Sequence, residues 1–526
     1  MVRTRFAPSP TGYMHIGNLR TALYEYLIAK SNNGEFILRI EDTDRERFVE
    51  GATDIIYKTL EMTGLKHDEG PDVGGDYGPY TQSERKSIYL PYAEELIKKG
   101  AAYYCFCTKE RLQEMKDGKE NRGDIADVDS TDSTKNTDST KSIDSTDGVK
   151  STESTEIEEG IGIAKSSDWA NMYDRHCLGL RPEEVQKNLE AGVPYVIRQK
   201  MPREGKTVFT DVVFGAITVE NSELEDQVLI KSDGLPTYNF ANVVDDHLMG
   251  ITHVVRGSEY LSSTPKYNLL YQGFGWDIPV YVHLPAVVKP GGQKLSKRAG
   301  DASFEDLLDM GYIVEAVVNY IALLGWSPKD NKEIFSLDEL VECFDIGGIS
   351  KSPSTFDYIK LNYFNAEHLR SKTPEEFHEI ALPFIKKSVS NPAYNTLNIA
   401  KTLHQRVEVL NAIPEMILFY DNPPDYESDL FINKKNKSTI ETARESLRIA
   451  ASDLSGVSAD RWNYEAIHEV LGDIAKRRNV KIGQIMWPVR IALSGRTVTP
   501  GGAVEIAEIL GRDECIRRIE AGIEKL

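Results

Sequence analysis

The chain has 526 residues, a hydrophobic content of 40% and a formal net charge of −20 at pH 7. This length exceeds what one hydrophobic core can serve, so about three or four domains are expected. The sequence has no apolar run as long as a membrane span, and its five unevenly placed cysteines do not form a disulfide framework. We therefore expect a protein of a reducing, cytoplasmic compartment. The negative charge does not exclude a nucleic-acid partner, because binding to RNA depends on local basic stripes rather than on the sum.

The first distinctive stretch runs from Arg5 to Asn18, with the sequence RFAPSPTGYMHIGN. Its prolines resist helix formation, and its glycines let the backbone approach a ligand where a Cβ would clash. Apolar residues then recur at helical spacing, which predicts an amphipathic helix over about 19–27. His15 would thus lie at a helix N-terminus, where free N–H groups and the helix dipole favour phosphate. The alternative is a proline-rich turn before an ordinary core helix.

A strand predicted over 35–40 ends in the acidic run that begins at Glu41. Ligands of open parallel α/β sheets bind beyond the carboxyl ends of the strands, so Glu41 is placed to meet an amino group. The alternative is a surface turn with solvated acids. Helices are predicted at about 49–63 and 88–99, with a Gly-, Asp- and Pro-rich loop between them.

Three cysteines form a candidate metal set. Cys105 and Cys107 are separated by one residue, and Cys177 lies far downstream. Zinc takes four ligands, and a disulfide is disfavoured in a reducing compartment. His176 is an alternative donor for the fourth position. A structural zinc and a set of free thiols both agree with the pattern.

A low-complexity segment separates these cysteines, from about Asp117 to Ser167, and Asp, Ser and Thr recur throughout it. With almost no aromatic or branched apolar side chains, it cannot bury enough surface to offset chain entropy, so a disordered loop is expected. An inert expansion is favoured over a partner-binding tail.

Order is predicted to resume with a helix start at Arg181-Pro182 and short strands at 195–200, 208–213 and 216–219. Strands and helices follow over 228–260 and carry Tyr238, Asn242, Arg256 and Glu259. For Tyr238 and Asn242 the alternative is one face of a buried helix.

A basic loop with the sequence GGQKLSKR spans 291–298. Such a loop is usually only solvated, but together with a phosphate site it can neutralise charge on a triphosphate. Beyond residue 304 the pattern is mostly helical, and from about 371 no alternating strand pattern occurs. The local basic charge of this last part comes from Lys476, Arg477, Arg478, Lys481, Arg490 and Arg496.

The run His15-Ile16-Gly17-Asn18 closely resembles the first signature of the class I aminoacyl-tRNA synthetases. The flanking residues from Arg5 to Gly12 resemble the version found in the glutamyl-tRNA synthetase family, and the 294–298 loop resembles the second class I motif. The resemblance covers nearly the whole chain except the low-complexity segment. The helical C-terminal pattern favours the bacterial or organelle type over members with β-barrels there.

The resemblance implies an α/β fold with a Rossmann-like parallel sheet and a connective insertion, followed by a stem-contact region and an all-α anticodon-binding domain. It divides the chain into a first catalytic half at 1–85, an insertion at 86–225, a second catalytic half at 226–285, a stem-contact region at 286–370 and an anticodon-binding domain at 371–526.

The same resemblance implies a ligase that uses ATP with Mg²⁺ to form glutamyl-adenylate and then transfers glutamate to the terminal adenosine of tRNA(Glu). It implies a monomer with no membrane partner. The residues implied for glutamate are Arg5, Ser9, Glu41, Tyr238, Asn242 and Arg256. Those implied for ATP are His15, Gly17, Asn18, Glu259, Lys294, Lys297 and Arg298. Of these, His15, Asn18, Lys294 and Lys297 are the implied catalytic residues.

Some family members hold zinc with a Cys-x-Cys pair and a later Tyr-x-x-x-Cys, which implies a structural zinc on Cys105, Cys107, Tyr173 and Cys177. Tyr260 departs from the family, which often has Trp or His there, so contacts to adenine are not carried over. In the resembled family, adenylate formation usually requires bound tRNA. Two alternatives are a relative that glutamylates a modified tRNA base, which ends before the helical domain, and a non-catalytic tRNA-binding paralogue, which loses the phosphate chemistry.

Overall fold

The computed structural model describes residues 1–43, 49–123, 172–293, 295 and 303–526. The predicted site residues Lys294, Lys297 and Arg298 and most of the low-complexity segment lie outside these ranges. The chain forms two compact units. Unit 1 comprises Met1–Thr11, Asn32–Val49 and His67–Leu284, and unit 2 comprises Gly12–Ser31, Glu50–Lys66 and Pro285–Leu526.

The strands, in chain order, are β1 Arg3–Phe6, β2 Glu35–Leu38, β3 Ala102–Cys105, β4 Val196–Gln199, β5 Lys206–Asp211, β6 Gly215–Glu220, β7 Val228–Ile230, β8 His253–Gly257, β9 Val280–Leu284, β10 Val287–Val288 and β11 Ser354–Thr355. The helices of the first half are α1 Ile16–Ser31, α2 Ala52–Thr63, α3 Lys86–Lys98, α4 Lys109–Gly123, α5 Pro182–Glu190, α6 Tyr238–Leu248 and α7 Thr264–Phe274. Those of the second half are α8 Phe304–Asp309, α9 Val314–Ala322, α10 Leu337–Cys343, α11 Tyr358–Ser371, α12 Pro374–Ile385, α13 Thr396–Leu403, α14 Ile413–Ile417, α15 Ile440–Ser455, α16 Tyr464–Arg477, α17 Gly483–Ser494, α18 Ala503–Leu510 and α19 Arg512–Glu524.

Unit 1 is built on parallel strand pairs. β1 pairs with β2, and β8 pairs with β9, both in parallel. β1 also lies beside the start of β8, since the Thr252 amide donates to the Arg3 carbonyl at 3.0 Å. The antiparallel hairpin β5–β6 extends the β9 edge, so the sheet order is β6-β5-β9-β8 and the sheet is mixed. This arrangement confirms the predicted class I α/β fold and adds a hairpin that an all-parallel description omits.

A separate antiparallel sheet has the order β3-β4-β7. The strands predicted at 195–200, 208–213 and 216–219 are present as β4, β5 and β6, and the predicted helix start at Pro182 begins α5. Helix α4 continues to Gly123, beyond the residue near 117 at which the disordered loop was expected to begin. The remainder of that expected loop, from 124, lies outside the described residues.

Helix α1 confirms the helix predicted after His15, but it is not amphipathic. Ten of its sixteen residues are buried, including Arg20 and Glu25. The reason is its central place in unit 2, where the Tyr24 hydroxyl donates to the Ala322 carbonyl at 3.0 Å and the Tyr24 ring packs on Phe344. The helix that follows the signature is therefore held on nearly all sides.

From α12 to α19 the chain contains helices and no strand, as predicted for the last domain. A continuous apolar core joins these helices and includes Phe377, Phe431 and Ile485. Among the described residues, no helix has the length and apolar composition required to cross a membrane.

Candidate active site

A network of buried charges begins at Arg5 in β1 and continues through Arg39 and Glu41, which follow the end of β2, in unit 1. Arg5 Nε donates to Asp246 Oδ1 at 3.0 Å, and Arg39 Nη1 lies 2.8 Å from the same oxygen. Arg39 Nη2 donates to Glu41 Oε1 at 3.0 Å. Arg39 is fully buried, and the other three side chains are nearly so. Two guanidinium groups therefore fix two carboxylates in place, because buried charges are tolerated only when paired.

A second layer supports this network through Asp245, the neighbour of Asp246 on α6. Asp245 accepts from Arg85 Nε at 2.7 Å, from Gln82 Nε2 at 3.0 Å and from the Tyr89 hydroxyl at 2.9 Å. All of these side chains are buried. The helix that carries Asp246 is thus fixed against α3 and the turn before it.

The environment perturbs the pKa values of the two carboxyl groups in opposite directions. Burial raises the pKa of Glu41 to about 7, although the charges of Arg39 and Arg5 oppose the shift. For Asp246, burial acts the same way but is outweighed by Arg5 and Arg39, which hold the pKa below its usual value. Asp246 is therefore ionised at neutral pH, whereas the raised pKa of Glu41 makes its charge sensitive to pH in that range.

Arg256, near the end of β8, lies among aromatic rings. Its guanidinium carbon is 4.5 Å from the ring centre of Tyr267, 5.4 Å from that of Tyr260 and 5.5 Å from that of Tyr281. The residue is 6% exposed. Such rings stabilise a desolvated cation without consuming its hydrogen-bond donors.

Three polar atoms of the predicted glutamate residues are buried without a hydrogen-bond partner among the described residues. They are Glu41 Oε2, Asn242 Nδ2 and Arg256 Nε. Buried polar atoms are usually satisfied, so unsatisfied ones indicate a ligand or another constraint. Here they comprise an acceptor on a carboxylate and donors on an amide and a guanidinium.

Two further predicted residues differ in their surroundings. The pKa of Tyr238 is raised by burial and by the charge of Glu41, and its ring centre is 5.9 Å from that of Tyr260. Tyr238 therefore lies near Glu41 and Arg256. Ser9 is exposed, and its carbonyl accepts from the Thr11 amide at 2.9 Å.

The signature residues lie in unit 2. The Gly17 amide donates to His15 Nδ1 at 3.0 Å, which makes Nδ1 the acceptor and leaves Nε2 to carry the proton of the neutral ring. A Cβ on Gly17 would lie 3.2 Å from that same nitrogen. The His15 carbonyl accepts from the Leu19 amide at 3.0 Å and begins the helix. Asn18 is exposed on the first turn.

The basic loop is described only at its edges. The Lys289 amide donates to the Gln293 carbonyl at 2.7 Å, and the Leu295 amide donates to the Val287 carbonyl at 3.2 Å. Both bonds lie beside β10, which pairs in parallel with β11. Glu259, the remaining predicted nucleotide residue, is an exposed residue of the turn Ser258–Tyr260 in unit 1.

The predicted metal residues converge in unit 1. The sulfur atoms of Cys105, Cys107 and Cys177 all lie within 4.8 Å of one another. The Tyr173 hydroxyl lies 3.3 Å from the sulfurs of Cys105 and Cys107. A hydrogen bond from Cys177, assisted by Tyr173 and Arg198 and opposed by burial, lowers the pKa of Cys105 to about 4. His176, the alternative donor, is exposed and outside this cluster. Three sulfur atoms this close together are compatible with a structural zinc, and the Tyr173 hydroxyl is near enough to be considered as a fourth ligand.

Sequence reasoning missed Arg39 and Asp246, which hold the predicted residues Arg5 and Glu41. The signal for Arg39 was present, because residues two apart on an extended chain face the same side and Arg39 precedes Glu41 by two. Asp246 carried no local signal, since it is 241 residues from the arginine it binds.

The fold and these residues define a class I tRNA synthetase. The family model for the catalytic domain of class I tRNA synthetases (E and Q) matches residues 1–149 and 147–363, and an anticodon-binding-domain model matches 376–523. The chain belongs to the glutamate–tRNA ligase family.

Both curated proteins and solved structures support this membership. The chain is 53% identical over its full length to a glutamate–tRNA ligase of Clostridium tetani, of which it covers 98%. It is 54% identical over its full length to one of Clostridium botulinum, of which it covers 99%. A crystal structure of a glutamate tRNA ligase from Elizabethkingia meningosepticum in complex with its amino acid matches the whole chain and 99% of that structure, with a TM-score of 0.81 and 34% identity.

Proposed function

We propose that this protein attaches glutamate to tRNA(Glu) in two steps. In the first, an oxygen of the glutamate α-carboxylate attacks the α-phosphorus of ATP, the bond to the β-phosphate breaks, and pyrophosphate leaves. In the second, a hydroxyl of the terminal adenosine attacks the acyl carbon and AMP leaves. No protein nucleophile takes part, so catalysis rests on positioning and on stabilising charge at the phosphates.

The observation that carries this proposal is the set of unpartnered buried atoms in unit 1. Glu41 offers a carboxylate oxygen to the α-ammonium group, and Arg256 offers a guanidinium to the side-chain carboxylate. Asn242 supplies an amide donor. An amino acid with an acidic side chain satisfies all three, and charge-assisted bonds of this kind are the strong ones. Arg5, Ser9 and Tyr238 complete the proposed set.

For ATP, we propose His15 as a phosphate ligand, because its neutral ring carries the proton on Nε2 while Gly17 holds Nδ1. The N-terminus of α1 favours the same anion. Mg²⁺, when bound, would screen charge between the phosphates. The other proposed ATP residues, Asn18, Glu259, Lys294, Lys297 and Arg298, come from the sequence motifs.

A cavity of about 370 Å³ suits a contact with tRNA. Apart from Arg370, the residues that line it lie within the anticodon-binding-domain match. It is lined by Arg370, Gln405, Arg406, Met416, Arg496, Val498, Thr499 and Pro500. Arginine planes stack on bases and donate to their edges, whereas Met and Pro offer apolar contact. We assign this cavity to an anticodon nucleotide. Arg496, which lines the cavity, also pairs with Glu415. The basic residues Lys476, Arg477 and Arg478 pair with Asp473, Asp453 and Glu445.

For zinc, the proposed ligands are Cys105, Cys107, Tyr173 and Cys177, and the metal would join β3 to the turn before α5. A monomer in the cytoplasm stays a prediction from the sequence.

The deciding experiment is charging of periodate-oxidised and intact tRNA(Glu) with radiolabelled glutamate. Oxidation destroys the terminal ribose, so a ligase of the 3′ end loses all incorporation, whereas an enzyme that glutamylates a tRNA base keeps it. Glutamate attached to oxidised tRNA would overturn the proposal. A non-catalytic paralogue would charge neither.

A matched pair of variants tests the glutamate pocket. Arg256→Ala should lower kcat/KM for glutamate by an amount equivalent to about 2–5 kcal/mol, because the carboxylate loses a buried charged partner. Arg256→Lys keeps the positive charge but not the planar guanidinium, so its kcat/KM for glutamate should fall less than that of Arg256→Ala. An unchanged glutamate KM in Arg256→Ala would remove this arginine from the pocket.

A further inference from the structure

A buried histidine–carboxylate pair in unit 1 has no place in the chemistry above. His283 of β9 is 0% exposed and Asp211 of β5 is 1% exposed. His283 Nδ1 lies 2.7 Å from Asp211 Oδ2, and the His283 amide donates to the same oxygen at 3.0 Å. The amides of Val213 and Phe214 donate to the other oxygen. With four donors on its oxygens, Asp211 acts as an acceptor and fixes the proton on Nδ1 of His283.

The free edge of the imidazole faces the turn that follows Arg256. Because Nε2 then carries no proton, it can only accept. Thr264 Oγ1 lies 3.3 Å from His283 Nε2 and 2.9 Å from the Tyr260 carbonyl oxygen, so its single O–H proton is shared between these two acceptors. All three groups are in unit 1, and Thr264 begins α7. A continuous polar chain therefore runs from Asp211 of the β5–β6 hairpin to Tyr260.

The same pair is the neighbour of Arg256 across the sheet. Arg256 and His283 are register partners on the parallel strands β8 and β9. Burial, together with the positive charge of Arg256, lowers the pKa of His283 even though Asp211 opposes the shift, so the imidazole stays neutral. The Asp211–His283 pair thus carries one negative charge, and its imidazole lies on the strand next to Arg256 and feels the charge of the guanidinium. Among the described residues, Arg256 Nε has no hydrogen-bond partner.

We propose that Asp211, His283 and Thr264 form a positioning chain that sets the geometry of the Arg256–Tyr260 segment for glutamate. The pair neutralises Arg256 through space and leaves its donors for the substrate, while Thr264 holds the turn that carries Tyr260 over the guanidinium. None of the three touches the substrate. The inference rests on the proposed function, since it names further residues for the same site.

The first test removes one hydroxyl. Thr264→Val keeps the shape and loses the contact to His283 and Tyr260, and we expect the glutamate KM to rise about tenfold, with kcat reduced less than threefold and the KM for tRNA unchanged. Thr264→Ser restores the hydroxyl and should restore the KM. Thr63→Val is the matched control, because Thr63 is also buried and makes the same type of bond to the carbonyl four residues earlier, that of Thr59.

The second test separates the two edges of the imidazole. His283→Gln places an amide at the Nε2 position and should keep the glutamate KM within threefold of wild type. In His283→Asn, the shorter amide can contact Asp211 but not Thr264, and the glutamate KM should rise about tenfold. The two His283 variants test the proposal on their own if Thr264→Val does not fold.

Equal glutamate KM values in the asparagine and glutamine variants overturn the proposal, as does a rise in Thr264→Val that is matched by Thr63→Val or by the KM for tRNA. These outcomes are read against wild-type enzyme. Failure of wild type to charge tRNA(Glu) would instead count against the proposed function.

Discussion

The backbone of Gly17 holds the ring of His15 in place through its Nδ1 atom. Its amide donates to His15 Nδ1, and a Cβ at this position would approach that nitrogen to 3.2 Å, so the ring would have to shift by a few tenths of an ångström. We predict that Gly17→Ala lowers kcat for adenylate formation about tenfold or more, since small misplacements of a phosphate ligand are costly. Alanine is the better helix former, so thermal unfolding should show no loss of stability.

The matched control for this substitution is Gly472→Ala in α16. A Cβ there meets no atom within 4 Å. The control should gain stability by up to about 1 kcal/mol and keep its activity. Wild-type kcat in Gly17→Ala would show that the His15 ring has room to move without consequence.

The raised pKa of Glu41 gives its proposed contact with glutamate a pH dependence. Its pKa is raised to about 7 by burial, and only the ionised carboxylate attracts the α-ammonium group. We predict that kcat/KM for glutamate falls as the pH drops below about 7, approaching tenfold per unit, because the protonated form increases at the expense of the carboxylate. The measurement is a pH profile from 5.5 to 8.5 at saturating ATP and tRNA.

Glu41→Gln serves as the control for this profile. Its amide does not ionise, so the profile for glutamate should be low and flat over the same range. A wild-type profile with no inflection near neutrality would mean that substrate contacts or Arg39 keep Glu41 ionised throughout.

At the scale of elements, the spacing of apolar residues predicted most of the helices and strands near the candidate site. The helix after His15, the strand before Glu41 and the strands β4, β5 and β6 follow from local patterns, because side-chain spacing and turn residues act over a few positions. The burial of α1 on all sides did not follow from its sequence, since that depends on α9 and α10, which begin roughly 300 residues later.

Of the candidate site, only the residues that lie within short sequence motifs could be predicted. Arg5 and Glu41 were identified, but the partners that hold them were not, because Asp246 meets Arg5 across 241 residues. Likewise, the pairing of His283 with Asp211 arises from the order of strands β5, β9 and β8, which no local pattern encodes. Long-range register is the part of the fold that sequence spacing leaves open.

The cysteine cluster brings the end of β3 next to the turn before α5, although the low-complexity segment separates the two in sequence. We predict one zinc per chain in protein prepared without chelator. Cys105→Ser and Cys177→Ser should lose the metal and melt at a lower temperature, because binding energy at a structural site is folding energy. Metal content by atomic emission and thermal unfolding are the measurements.

Cys343→Ser is the matched control, since Cys343 is a free, exposed cysteine outside the cluster. It should keep both metal and melting temperature. Metal-free wild-type protein with an unchanged melting temperature after chelator treatment would instead favour free thiols.

At the scale of the whole molecule, the signature and the anticodon-binding match belong to one compact unit. His15, Gly17 and residues 376–523 lie in unit 2, whereas Arg5, Glu41 and Arg256 lie in unit 1. A tRNA that binds unit 2 therefore contacts the unit that carries the ATP signature. This gives a physical reason to expect that tRNA changes the nucleotide site as well as supplying the acceptor.

We predict that glutamate-dependent ATP–pyrophosphate exchange is negligible without tRNA and appears when tRNA(Glu) is added. Such activation is a population shift, which requires tRNA to bind the productive arrangement more tightly than the unproductive one. Replacing Lys476, Arg477 and Arg478 by alanine should raise the tRNA concentration needed for half-maximal exchange. Their surface ion pairs with acids are weak and do not prevent phosphate contacts. The loss should be largest at low salt and shrink as salt rises, because each phosphate contact contributes its share to the salt slope. Robust exchange by tRNA-free enzyme would falsify the coupling and leave the ligase activity itself in place.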